Sequence, residues 1–285
     1  MGLADMGRAS AIAGLGLCAI ALLTPTVCAE PVHSRIELLS ASTTLGNEQA
    51  LLLGIYIEPK PGWKTYWRAP GESGLPPIFL FTAHENADLP LMNWPAPKRL
   101  TLQGLESYGY DGPVIFPFYA APKDITKPVR LALQVDYAVC LDICVPEQAI
   151  LTLDIPPGTP VATADRDRLQ ASLLKIPRQQ DATGQPQITA SYIIRKGPKI
   201  ALHVEAEARE GFKAPDLFID GAPDMMFSAP RISYARERRR AIFHLEATSL
   251  NPALPISGQT VTLTLVDGEN ALEKQVKLAD QIGTE

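Results

Sequence analysis

The chain has 285 residues, with 26 Lys and Arg against 31 Asp and Glu and a formal net charge of −5, which excludes nucleic-acid binding driven by overall charge. At 46% hydrophobic and 20% charged residues, the composition is globular and excludes wholesale disorder. The 26 prolines beside 20 glycines disfavour long helices and point to strands joined by tight turns.

Residues 1–29 open with one Arg and continue into an uncharged apolar run from Ala11 to Leu23, ending in Val27-Cys28-Ala29. The run is shorter than the roughly 20 residues that span a bilayer and has the proportions of a cleavable signal peptide. Cleavage is expected after Ala29, and no later segment is long or apolar enough to cross a membrane. Of the four cysteines, Cys18 and Cys28 leave with the leader, so Cys140 and Cys144 alone remain in an oxidising compartment.

In chain order, strands are expected over Arg35–Leu39, Ala50–Glu58, Pro77–Thr82 and Val114–Tyr119. The clearest is 129–139, whose Val129, Leu131, Leu133, Val135, Tyr137 and Val139 alternate with polar and small residues and lead straight into Cys140. Ala149–Ile155 alternates again before Pro156-Pro157-Gly158-Thr159-Pro160 stops the pattern. Thr163–Ile176 follows as a helix, with Asp165 and Asp167 in its first turn. Arg178–Gln187 is polar, carries Gly184 and Pro186, and reads as linker. A second strand series runs through Ile200–Ala206, Ala241–Ala247, Thr260–Leu265 and, after an Asp267-Gly268 turn, Leu272–Leu278. The fold expected is all-β: two β-sandwiches, 30–156 and 188–285, joined by a linker with a short helix over 157–187.

The pair Cys140-Leu-Asp-Ile-Cys144 sits where a strand ends. Extended backbone would hold its Cα atoms roughly 13 Å apart, whereas a disulfide needs about 4.4–6.8 Å, so the chain must curl at Leu141–Ile143 if the cysteines bond. Closing so short a loop stabilises by roughly 2 kcal/mol, a small gain for a chain of this size. A lone close pair at a strand end suits reversible exchange. A structural bridge and a Cu(I) site using both thiolates stay open beside it. His33, His84, His203 and His244 are scattered without metal-site spacing, and His203 and His244 read as solvated strand positions. No metal site and no cofactor are expected. Asp142 lies between the sulfurs, either as a proton acceptor during exchange or as a solvated turn residue. Glu106 and Glu147 read as surface charges, and Arg236–Arg240 as a solvated hairpin tip.

Cys140-x-x-x-Cys144-x-Pro146 after a strand ending in Tyr137 resembles the N-terminal periplasmic domain of the thiol:disulfide interchange protein DsbD, and in particular that of its ScsB-type relatives. Gly62-Trp-Lys-Thr-Tyr66-Trp-Arg-Ala-Pro-Gly-Glu-Ser-Gly74, Trp94-Pro-Ala-Pro97, Tyr108-Gly-Tyr110 and Val114-Ile-Phe-Pro117 extend the resemblance over about 35–155. It implies an immunoglobulin-like domain whose pair Cys140/Cys144 passes electrons from a membrane-embedded donor to periplasmic disulfide or thioredoxin-like proteins. It also implies that Leu105–Tyr110 is a cap loop, with Tyr108 or Tyr110 shielding the sulfurs and Tyr66 an aromatic near them. Better-known DsbD domains have five residues between the cysteines, whereas this chain has three. Those proteins also continue into transmembrane and thioredoxin-like domains, so the donor expected here is a separate chain.

Overall fold

A computed structural model describes residues 31–281, apart from 47–49, 89–90, 103, 182, 198, 222–223 and 252–254. The expected leader, residues 1–29, lies outside the described residues. Among the described residues no helix is long and apolar enough to cross a membrane.

The first half is built from nine strands: β1 (Ser34–Ser40), β2 (Leu51–Pro59), β3 (Thr65–Gly71), β4 (Ile78–Glu85), β5 (Lys98–Leu102), β6 (Leu105–Tyr110), β7 (Val114–Ala120), β8 (Val129–Cys140) and β9 (Cys144–Ile155). They form three-stranded sheets in the orders β1-β2-β7, β4-β8-β9 and β3-β6-β5. Alternation decides which face is buried: Leu131, Leu133, Val135 and Val139 of β8 are at most 3% exposed and meet Ile55, Phe116 and Phe118 in one core. Each fully buried aliphatic or aromatic side chain there contributes roughly 1.5–3 kcal/mol relative to an exposed one.

The helix α1 spans Arg166–Leu173, shorter than Thr163–Ile176 because its last turn tightens ahead of Pro177, which disfavours helical geometry in the residue before it. It folds back on the first sandwich, burying Leu169 against Leu39 and Tyr56.

The second half holds β10 (Arg178–Gln179), β11 (Gln187–Lys196), β12 (Lys199–Glu207), β13 (Pro215–Asp220), β14 (Met225–Phe227), β15 (Arg231–Ala235), β16 (Arg240–Ser249), β17 (Thr260–Asp267) and β18 (Asn270–Lys277). One sheet runs β10-β18-β17-β13 and the other β11-β12-β16-β14, with β15 also on β16. Leu202, Val204, Phe243, Leu245, Leu263 and Leu265 fill the space between them. The molecule is all-β with two immunoglobulin-like sandwiches. Arg178–Gln187 differs from a free linker, since Arg178 and Gln179 pair in parallel with Leu272 and Glu273 and become an edge of the second sandwich.

The two cores also touch. Phe218 of β13 is buried in the first sandwich's core, edge-on to Tyr108 at 5.1 Å and to Trp67 at 6.1 Å between ring centroids.

Candidate functional site

β8 and β9 form a hairpin paired without a break from Val129↔Ile155 to Cys140↔Cys144. The strand periodicity thus makes the two cysteines the last cross-strand pair. Their Cα atoms lie 4.1 Å apart and their sulfurs are bonded. The curl required over Leu141–Ile143 is present as a three-residue turn closed by the Leu141 N–H donating to the Ile143 carbonyl. The two sulfurs have unequal surroundings. Cys140 is fully buried, whereas Cys144 is exposed, flanked by the exposed Leu141 and Ile143.

The cover over Cys140 is Tyr66. Its hydroxyl donates to Cys140 Sγ at 2.7 Å and lies 3.1 Å from Cys144 Sγ, and the residue is 1% exposed. Burial pushes the phenol pKa above its ordinary value, so the group stays a donor at neutral pH. Its position is fixed from both sides. Lys64 exchanges backbone hydrogen bonds with Cys140, and Thr65 Oγ1 donates to the Ala138 carbonyl. On the far side Gly109 of β6 approaches so closely that a Cβ there would sit 2.1 Å from the Thr65 carbonyl oxygen and 2.9 Å from the Tyr66 Cα. Gly74 lies against the Tyr66 ring in the same way, at 2.5 Å for an added Cβ.

Tyr108 and Tyr110 do not reach the sulfurs. The segment assigned to a cap loop is strand β6, and its tyrosines point elsewhere: Tyr108 to Phe218 and Arg99, Tyr110 through its hydroxyl to the Pro95 carbonyl. Burial raises the pKa of both. Asp142 sits exposed in the turn.

Glu147 is not a surface charge. Its side chain is 4% exposed and accepts hydrogen bonds from the Val32 and His33 N–H groups, the Ser34 hydroxyl and the Tyr137 hydroxyl. It ties the start of the described chain to the hairpin, and His33 stacks on Trp63 at 4.2 Å. Glu106 is half-buried and receives Arg99. His203 and His244, cross-strand partners on β12 and β16, are half-buried rather than solvated. His203 stacks on Tyr192, and burial lowers its pKa. Among the described residues no group of three or more His, Cys, Asp or Glu is placed to hold a metal ion. At the Arg236–Arg240 tip, Arg236 and Arg240 pair with Glu207 and Glu205, and Arg238 donates to the Phe212 and Lys213 carbonyls.

This arrangement can perform exchange at one sulfur. Cys144 is an exposed residue and is bonded to a buried leaving sulfur that already has a hydrogen-bond donor beside it.

Comparison with known proteins bears on both halves. Residues 37–156 match the family described as thiol:disulfide interchange protein DsbD, N-terminal. Residues 175–281 match a domain of unknown function (DUF8393). Among solved structures, the N-terminal periplasmic domain of ScsB from Proteus mirabilis is similar at a TM-score of 0.69 and 20% identity, covering 87% of this chain and 94% of that one. That likeness carries the fold of both sandwiches. A marsupial T cell receptor at TM-score 0.22 and 8% identity, with 87% and 97% covered, is too distant to bear on it. No curated protein matches the chain.

Proposed function

We propose, from the match of residues 37–156 to the DsbD N-terminal family, that the chain is a periplasmic thiol–disulfide exchange protein working through Cys140 and Cys144. A membrane-embedded dithiol partner reduces the pair, and the pair then reduces periplasmic disulfide or thioredoxin-like proteins. The single observation that carries this reading is the asymmetry of the bond: exposed Cys144, buried Cys140, and the Tyr66 hydroxyl on Cys140 Sγ.

In the reducing half-reaction a donor thiolate attacks Cys144 Sγ. A new S–S bond forms to Cys144, the Cys140–Cys144 bond breaks, and its electron pair leaves on Cys140 as a thiolate that accepts the Tyr66 hydrogen bond. The donor's second thiolate attacks its own sulfur in the mixed disulfide and releases Cys144. Two electrons have passed to the pair, and solvent supplies the protons. In the second half-reaction the Cys144 thiolate attacks an oxidised protein, and Cys140 resolves that mixed disulfide and restores the starting bond. Asp142, exposed in the intervening turn, is a proton acceptor for the thiol that remains outside.

The reading is tested by the reduction potential of the pair in equilibrium with glutathione. A value in the range of exchanging dithiols, above about −300 mV, supports it, and a value well below that marks an inert structural bridge. Cu(I) uptake that the reduced protein shows and a Cys140→Ala variant lacks is the mark of the copper reading.

A further inference from the structure

Resting on that reading, we infer that the second sandwich is a brace for Tyr66: Asp216 and Asp220 are positioning residues that hold β3, and through it the phenol, against the sulfurs.

Five consecutive residues of β3 and its approach connect the disulfide to the second sandwich. Lys64 is bonded to the Cys140 backbone, Thr65 to Ala138, and Tyr66 to the sulfurs. Trp67 then packs on Phe218, and Arg68 pairs with Asp220 at 2.7 Å and Glu273 at 2.6 Å while lying over the Trp67 ring. The sheet itself does not hold this stretch. The ladder between β3 and β6 is regular only through Tyr66↔Gly109 and resumes at Gly71↔Ser107. Residues 67–70 therefore bow out of the pairing directly after the residue that covers the sulfurs. Their anchors are side chains: Trp67 lies in the first sandwich's core, where it meets Phe218, and Arg68 ends on the other sandwich.

A second route reaches the other side of Tyr66. Gly74 lies against its ring, and the segment leading there is tied to β6 through the Glu72 N–H on the Glu106 carbonyl and the Glu106 N–H on the Glu72 carboxylate. Glu106 accepts from Arg99, which makes a two-pronged pair with Asp216, at 3.0 Å from Nε and 2.8 Å from Nη2. The same guanidinium covers Tyr108 and Phe218. Both routes thus reach β13, which carries Asp216, Phe218 and Asp220, and Arg68 is held in addition by Glu273 of β18. A cleft of about 330 Å³ between Arg68–Glu72 and β13–β14 gives this segment room to move once the pairs are broken.

The test uses the full chain with Asp216→Ala and Asp220→Ala combined, neither of which touches the first sandwich's cysteines. Two quantities are read: the pH at which the reduced Cys140 thiol ionises, and the rate of disulfide reduction by dithiothreitol. The brace predicts a raised thiol pKa and reduction slowed by about threefold, because the departing Cys140 thiolate loses a well-placed donor. Asp216→Glu with Asp220→Glu returns both toward the parent. In a Tyr66→Phe background the same double substitution adds nothing, since the brace acts through the phenol. Leu263→Ala, which loosens the second core and leaves the ion pairs in place, serves as the control for general destabilisation and does not slow the reaction. An unchanged pKa and rate in the folded double variant overturn the brace, as does an equal further effect in the Tyr66→Phe background. Both measurements use a small reductant, so loss of the brace is separable from loss of exchange with protein partners.

Discussion

Replacing Tyr66 by Phe deletes one oxygen and leaves the ring that covers Cys140 in place. In the oxidised protein the hydroxyl meets neutral sulfurs, 2.7 Å and 3.1 Å away, which are weak acceptors, so stability changes by under about 1 kcal/mol. On reduction the same hydroxyl faces a charge. A hydrogen bond to a charged group contributes about 1.5–3 kcal/mol, and Cys140 is fully buried, so water replaces little of it. At 1.36 kcal/mol per unit, the Cys140 thiol pKa rises by about 1–2 units. Rates of thiol–disulfide exchange respond to roughly half of such a change, so attack on Cys144 slows by about 3- to 10-fold. Thiolate absorbance against pH and the rate of reduction by dithiothreitol measure the two effects. A thiol pKa that is unmoved or lowered, or a faster reduction, refutes the assignment of Tyr66 as the donor to the leaving sulfur.

Gly109→Ala forces a Cβ into the Thr65 carbonyl oxygen. It is expected to lower the melting temperature and to make Cys140 reactive to a small alkylating agent in the reduced protein, because the clash displaces β3, and Tyr66 with it, from its place over the sulfurs. Glu147→Ala removes the acceptor shared by Val32, His33, Ser34 and Tyr137, and costs about 2–4 kcal/mol of unfolding free energy by denaturant titration, since charged hydrogen bonds are lost together. Burial raises the pKa of Tyr66, Tyr110 and Tyr137. The folded state favours their neutral forms, so its stability is full below the unfolded tyrosine pKa of about 10 and falls as pH rises beyond it. Denaturant midpoints measured from neutral to strongly alkaline pH follow that loss.

The elements that the sequence reveals are those whose order is local. The alternation from Val129 to Val139 fixes both the buried face of β8 and the place where Cys140 emerges, and the short spacing to Cys144 demands the turn that closes the hairpin. What the sequence hides depends on partners far along the chain. Tyr108 sits in a motif beside glycines and aromatics, so it resembles a cap, yet its ring is claimed by Phe218, 110 residues later. Glu147 looks like a solvated strand residue because its donors lie at the start of the described chain. Arg178–Gln187 looks like linker because its polar residues show no periodicity, although a two-residue parallel pairing suffices to make an edge. The strands β3 and β13, which join the sandwiches, have no clean alternation, since Trp67, Arg68, Asp216 and Phe218 answer to the interface rather than to one core.

The central claim is that Cys144 is the sulfur that meets a partner and Cys140 the one that resolves. The direct measurement is covalent trapping in the periplasm with single-cysteine variants. Cys140→Ser, which keeps the exposed thiol and lacks the resolving one, is expected to accumulate mixed disulfides with protein partners that dithiothreitol releases, while Cys144→Ser, left with a buried thiol under Tyr66, accumulates far fewer. Equal trapping by the two variants contradicts the asymmetry, and no trapped partner from either contradicts thiol–disulfide exchange itself.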